Sequence, residues 1–261
     1  MKRIAFPLFT VSVLLLCTCS FAQAPPAPQH APDGGTRETF ASIVIPPMPN
    51  APFTATVNTE WIRQMPDGGN ITLINHRTIA RDAKGRIFQE RRYFVPNDGK
   101  RESTAYQIEI SDPAAHERYV CRPAEQVCRL EQFFAPTTWG SPATVTSSGK
   151  LGAPGVENLG TQIIAGLETI GTRETNLVET ATIGNDGPIL EKREFWYSPK
   201  LGVNLITRRQ DPRFATQQNF EVTNVSLGEP DANLFELPSG YKVVDMRKPP
   251  ELSSPSASSQ N

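Results

Sequence analysis

Apolar and polar residues trade places every second position along much of this chain, the period of a strand that buries one face. In residues 53–65, Val57, Thr59 and Trp61 fall on one side and Asn58, Glu60 and Ile62 on the other. Pro66-Asp67-Gly68-Gly69-Asn70 then supplies turn chemistry, and residues 71–81 run back. A second turn, Asp82-Ala83-Lys84-Gly85-Arg86, leads into residues 87–95, and the loop Pro96-Asn97-Asp98-Gly99-Lys100 follows. Residues 104–111 set Tyr106, Ile108 and Ile110 against Gln107 and Glu109. The second half repeats the pattern in residues 160–166, 167–178, 189–198, 202–209 and 217–227, with a central hairpin turning through Ser198-Pro199-Lys200-Leu201-Gly202. Strands spaced by about 10 to 15 residues with Pro/Gly turns between them predict an antiparallel meander rather than alternating βαβ units.

Three stretches depart from that rhythm. Residues 36–45 suit a helix capped by Thr36 or a strand through Ile43-Val44-Ile45, and Pro46-Pro47 ends either. Residues 135–157 hold Trp139 among Gly140, Pro142, Gly149, Gly152, Pro154 and Gly155, too long for an ordinary connection, which marks either a lid or a disordered crossover. Residues 229–238 read as one helical turn capped at Asp231 that presses Leu234 and Phe235 into the core, with a short edge strand at 240–244.

The ends of the chain lack this alternation. Lys2-Arg3, the apolar run 8–16 and the small-x-small sites Ser20-Phe21-Ala22 and Ala22-Gln23-Ala24 make residues 1–22 a signal peptide, cut after Ala22 because Pro25 disfavours the later site. Lipidation at Cys17 or Cys19 is the rival, opposed by Leu16 and Thr18 where a small residue belongs. Residues 23–35 form a Pro-rich disordered leader, 36–245 one β domain and 246–261 a Pro/Ser-rich disordered tail. The expected address is periplasmic or secreted, with no integral membrane span.

Charge narrows the partners. The chain carries 26 Lys+Arg and 27 Asp+Glu, a balance that gives no electrostatic reason to expect nucleic acid. Cys121 and Cys128 flank a Pro-containing turn between two short strands, and in an oxidising compartment that spacing predicts a disulfide.

Several motifs carry a resemblance. The strand Gly160-x-x-x-Ile164-x-Gly166, the hairpin Trp196-Tyr197-Ser198-Pro199-x-Leu201-Gly202 and the closing Pro230-Asp231-x-x-Leu234-Phe235-x-Leu237-Pro238-x-Gly240-Tyr241 resemble the periplasmic lipoprotein-carrier superfamily, the LolA-like half-barrels and related exported domains. The resemblance implies a curved sheet around an apolar cavity that receives acyl chains, lipoproteins or envelope proteins. The carriers plug that half-barrel with helices, whereas one helical candidate at most is found here. The expected fold class is therefore mainly β: a single antiparallel, strongly curved meander sheet, a half-barrel, with few short helices.

Motifs for catalysis are scarce. His30, His76 and His116 show no metal-ligand spacing, and no nucleophile elbow or phosphate loop occurs, so no cofactor or metal is expected. Glu109, Glu191 and Glu194 could serve as paired acids but read as solvated strand charges. The interleaved arginines, among them Arg77, Arg81, Arg91 and Arg208, read as cross-strand partners of acids. The expected function is an exported non-catalytic envelope protein that binds an apolar or lipidated partner on a concave sheet face, with Trp139, Trp61 and Trp196 as candidate ligand contacts. For the strand tryptophans, core packing of the sheet is the stronger reading, and Trp139 in its Gly/Pro loop is the one that suits a lid. The alternatives are an exported hydrolase using acidic residues and a purely structural surface protein.

Overall fold

The computed structural model describes residues 43–134 and 155–247. The first run of strands is β1 (Phe53–Gln64), β2 (Asn70–Arg81), β3 (Ile87–Arg92), the two-residue β4 (Val95–Pro96), β5 (Ala105–Asp112), β6 (Glu117–Arg122) and β7 (Val127–Gln132). The second is β8 (Gly155–Ile164), β9 (Leu167–Val178), β10 (Ile189–Ser198), β11 (Val203–Asp211) and β12 (Thr216–Leu227). A 3-10 turn (Ala232–Phe235) and β13 (Lys242–Asp245) complete it.

All of these strands join one open, curled 13-stranded sheet that does not close into a barrel. Its order is β13-β7-β6-β5-β3-β2-β1-β12-β11-β10-β9-β8, with β4 pairing β2. Each run is a meander, but the two are not laid end to end. The second begins at the far edge with β8 and works back until β12 pairs with β1, so the chain's first and last long strands meet in the middle. β13 then lies parallel to β7 at the opposite edge, the one departure from antiparallel pairing. Closing contacts continue past β13, where the Met246 N–H donates to the Leu130 carbonyl at 2.8 Å and Arg247 pairs with Glu117 at 2.9 Å.

Alternation along β1 sets the two faces. Phe53, Ala55, Val57 and Thr59 are buried on what we call the front, while Thr54, Thr56, Asn58 and Glu60 are half-buried on the back. The register carries the front across the sheet: Val57 opposes Arg77 and Val222, and Thr59 opposes Asn75 and Phe220. Phe53, Val57, Ile79, Leu205, Phe220 and Val222 form the main core together with Ile43 and Ile45. Residues 43–45 are neither helix nor strand here. They belong to a strap held down by Arg81, whose guanidinium donates to the Ala51 carbonyl at 2.8 and 3.0 Å and to the Pro46 carbonyl at 2.9 Å. Gly202 lets the strap approach the β10–β11 turn: it sits at φ +69°, and a Cβ there would lie 3.0 Å from Pro46 Cγ.

A second, smaller core lies on the back. Ala80, Phe88 and Ile110 oppose one another across β2, β3 and β5, and the 3-10 turn lays Phe235 over them with Leu234 and Leu237 beside it. Asp231 caps that turn, accepting from the Asn233 N–H at 3.0 Å. Cys121 and Cys128 oppose each other across β6 and β7 and are joined by a disulfide.

Toward β8 the back is polar. Glu157, Arg173, Glu194, Arg208, Asn219 and Glu60 oppose one another in a single row across six strands. Neighbours in this row bond at 2.9 Å (Arg173–Glu157), 3.0 Å (Arg173–Glu194), 2.7 Å (Arg208–Glu194) and 2.9 Å (Asn219–Glu60). Opposite charges directly across strands stabilise the pairing modestly, and they keep this face wet.

Candidate functional site

The front face is covered at its middle by the strap, and beside that cover it opens into a cleft of about 370 Å³ over β1, β2 and β3. Thr59, Asn75, Arg77 and Phe220 lie on β1, β2 and β12, and Arg91, Arg92, Tyr93, Phe94 and Tyr106 complete the lining. Tyr93 and Tyr106 stand at the mouth, 59% and 40% exposed, with ring centroids 4.8 Å apart. Two aromatic rings left in water beside a cleft whose floor is Phe220 make an amphipathic rim suited to an apolar chain.

The cationic part of the cleft is built on a buried acid. Glu109, on β5, is 3% exposed and accepts from Arg91 Nε at 2.9 Å, Arg118 Nη2 at 3.0 Å, Gln89 Nε2 at 2.8 Å and Gln107 Nε2 at 2.7 Å. Burial pushes its carboxyl up, but Arg91, Arg118 and Gln107 together hold it below the usual carboxylate range. Gln89 in turn accepts from Arg77 Nη1 at 3.4 Å. Arg77 is 4% exposed. Its burial pulls the guanidinium down to about 10, and the like charge of Arg91 adds to the fall while Glu109 opposes it. Asn75, 6% exposed, donates its Nδ2 to the Arg92 carbonyl at 3.1 Å, and its Oδ1 meets no hydrogen-bond donor among the described residues.

This corrects the reading of Glu109 as a solvated strand charge, and that of Arg81 as the partner of an acid, since its guanidinium donates to backbone carbonyls. Glu109, Arg77 and Arg81 are buried because the face they share with Val57 and Phe53 is covered or recessed, so alternation that looks like wet-out, dry-in has polar groups on a dry side. The acids are also not paired with each other. Glu109 lies on β5 with guanidiniums, Glu194 lies on the back of β10 with Arg173, Arg208 and Trp196, and Glu191 meets Arg213. Two carboxylates committed to arginines on different faces do not form a general acid–base pair.

The two candidate tryptophans among the described residues lie on opposite faces of the sheet. Trp61 lies on the front of β1, two positions beyond Thr59 and opposite Leu73 and Gln218. Trp196 lies opposite Ile206 and Gly171, on the side that carries Glu194, and its Nε1 donates to Glu194 at 3.1 Å. It packs against the edge of the main core. Trp139 lies outside the described residues. Tyr93, Phe94 and Tyr106, which line the cleft, were not singled out by the alternation. Tyr106 reads there as a residue on the apolar parity of β5, and the kink that frees it comes from a register shift between Arg91 and Arg92.

Other hollows are less apolar. One of about 460 Å³ sits between the hairpin ends of β1–β2 and β11–β12 and is lined largely by Gln64, Asn70, Gln210, Asp211 and Gln217. Another of about 290 Å³ on β9–β11 is lined by Arg173, Lys192, Arg193, Glu194, Arg208 and Arg209. Among the described residues no group of three or more His, Cys, Asp or Glu is placed to hold a metal ion, and no helix is long and apolar enough to cross a membrane.

No family model matches the chain, and no curated protein matches it. Among solved structures it is similar to an uncharacterized conserved protein from Thermus thermophilus, at 10% identity over 75% of this chain and 91% of that one, with a TM-score of 0.39. It is similar to the MucA/MucB complex of Pseudomonas aeruginosa at 13% identity and a TM-score of 0.39, covering 74% of this chain and 58% of that one. A LolA superfamily protein from Nitrosomonas europaea is similar at 9% identity and a TM-score of 0.28, covering 72% of this chain and 91% of that one. The superfamily that the sequence motifs resemble is thus represented among the similar solved structures.

Proposed function

We propose that this protein is an exported, non-catalytic binding module of the cell envelope that receives an acyl chain, free or on a lipidated partner, in the front-face cleft. The observation that carries the reading is the exposed Tyr93–Tyr106 pair at the mouth of a cleft of about 370 Å³ floored by Phe220. Large apolar rings are left in water where they have something to cover. Trp61 lies two positions beyond Thr59 on the same front face, beyond the cleft's own lining, and we read it as an outer contact for the chain, whereas Trp196, on the other side, serves packing. The candidate acids Glu109, Glu191 and Glu194 are engaged by arginines, which supports a cleft that binds rather than reacts.

The reading is tested with a fluorescent fatty acid. Titration into the purified protein gives saturable binding, and Tyr106→Ala weakens it by about tenfold, because burying a ring against an acyl chain contributes about 1 to 3 kcal/mol and 1.4 kcal/mol is one decade. Tyr106 is exposed, so the variant keeps its unfolding midpoint. Absence of saturable binding to the wild type overturns the proposal.

A further inference from the structure

We infer that the chain carries a second binding site, independent of the acyl cleft: the hollow of about 460 Å³ between the hairpin ends receives a neutral saccharide, whose hydroxyls bond to the amides of Gln64, Asn70, Gln210 and Gln217. The register brings these side chains together. Gln64 opposes Asn70 across β1 and β2, Gln210 opposes Gln217 across β11 and β12, and Gln217 opposes Ile62 across β12 and β1. Residues directly opposite each other share a face with their Cβ atoms about 5 Å apart, and Ile62 and Gln64, two positions apart on one strand, share it too. All five line the hollow. The two hairpins are fastened where they meet, since the Gln64 N–H donates to the Ala215 carbonyl at 2.9 Å. The amides are therefore carried by strands in fixed register rather than by free loops.

The chemistry of the lining selects the ligand. A carboxamide donates and accepts from one planar group, and a hydroxyl also does both, so amides match the neighbouring hydroxyls of a sugar. Gln64, Asn70 and Gln210 are exposed, and their side chains make no hydrogen bond to another described residue, so a ligand displaces water from them and breaks no protein contact. Gln217 is held in place by donating its Nε2 to Asn219 Oδ1 at 2.9 Å. Asp211 is the charged residue of the lining, and Arg213 Nε and Nη2 hold its two oxygens at 2.9 and 2.6 Å, which leaves an ion nothing to pair with. Ile62, Pro212 and Ala215 supply apolar wall for the C–H face of a sugar ring. Convergent neutral amides beside such a wall suit a polyhydroxyl ring better than they suit a charged group.

The test applies the full chain to immobilised neutral oligosaccharides, the maltose, cellobiose and N-acetylchitobiose series, spotted beside the same chains bearing a uronate or a phosphate. Binding to at least one neutral series is expected. Titration of that oligosaccharide in solution is expected to weaken about fivefold in Gln64→Ala and in Gln210→Ala, the worth of one neutral hydrogen bond. Both positions are exposed, so the variants are expected to keep the unfolding midpoint and to bind a fluorescent fatty acid as the wild type does. Binding to none of the neutral series, or to the charged glycans alone, overturns the assignment. Wild-type affinity in both variants places the saccharide elsewhere and overturns the site. Displacement of the bound oligosaccharide by an unstructured Gly-Ser peptide overturns the saccharide class, because backbone amides then suffice.

Discussion

Glu109 is the residue on which the front-face polar cluster depends. Removing it takes from Arg91 its acid and leaves Arg118 with Glu131 alone, and because both guanidiniums are partly exposed the cost falls below the roughly 3 to 5 kcal/mol of a fully buried pair, at about 2 kcal/mol. Glu109→Ala is expected to lower the urea midpoint accordingly, and Glu109→Gln by less. Because the folded carboxyl is held below its unfolded value, its stabilising effect is complete at neutral pH and is lost as pH falls through the folded value. The stability gap between wild type and Glu109→Gln therefore narrows as pH falls from the ordinary glutamate range through the lower folded value. A gap that stays constant from neutral to acid pH contradicts the assignment. Arg81 plays a different part, since it holds carbonyls rather than an acid. Arg81→Met leaves the Ala51 and Pro46 carbonyls without their donors, at a cost of about 3 kcal/mol, and frees the strap to exchange amide hydrogens faster. Neither role is legible in the sequence. Gln107 and Glu109 alternate with Ile108 and Ile110, a pattern that predicts a solvated side, and nothing local announces that the curl of the sheet will recess that side as well.

Among the elements, the hairpins are the part that alternation and turn chemistry foretell well. The strands from 53 to 132 and the central hairpin around Pro199 and Gly202 stand where Pro, Gly and Asp cluster between alternating runs, because turn residues act locally. What alternation misses is the pairing of distant strands: no local signal says that β12 returns to β1 or that β13 lies parallel to β7. The disulfide is the exception, since two cysteines facing each other across a short turn are a local feature. Replacing both with alanine is expected to lower stability by about 2.5 kcal/mol, from the loop that the bond closes. Alkylation of unreduced protein should leave Cys121 and Cys128 unmodified. A second prediction concerns β9 and β10. A Cβ at Gly171 would lie 2.8 Å from the Trp196 ring and 2.9 Å from Leu159 Cβ, so Gly171→Ala forces the ring to shift and costs about 1 to 3 kcal/mol. Combining it with Trp196→Leu should cost less than the two changes added separately, and strict additivity would show that the ring is not what meets the new methyl group.

For the whole molecule, the sheet has two faces with different work. Its back toward β8 is laced by cross-strand charges and needs no ligand, whereas its front holds a recess with aromatic rings at the mouth and the buried Arg77 beneath. That division carries the proposed function, and it is also where sequence and structure part. The large aromatics singled out by size, Trp61 and Trp196, are separated onto opposite faces, while the smaller Tyr93 and Tyr106 come together through a bulge. A photoreactive fatty acid tests this most directly. Bound to the full chain, irradiated and mapped by peptide mass spectrometry, a diazirine-bearing palmitate is expected to label the segments that carry Tyr93, Phe94 and Tyr106, and an excess of unlabelled lipid should suppress that labelling. Labelling confined to the back-face strands β8 to β10, or none that competitor removes, would contradict a front-face acyl site.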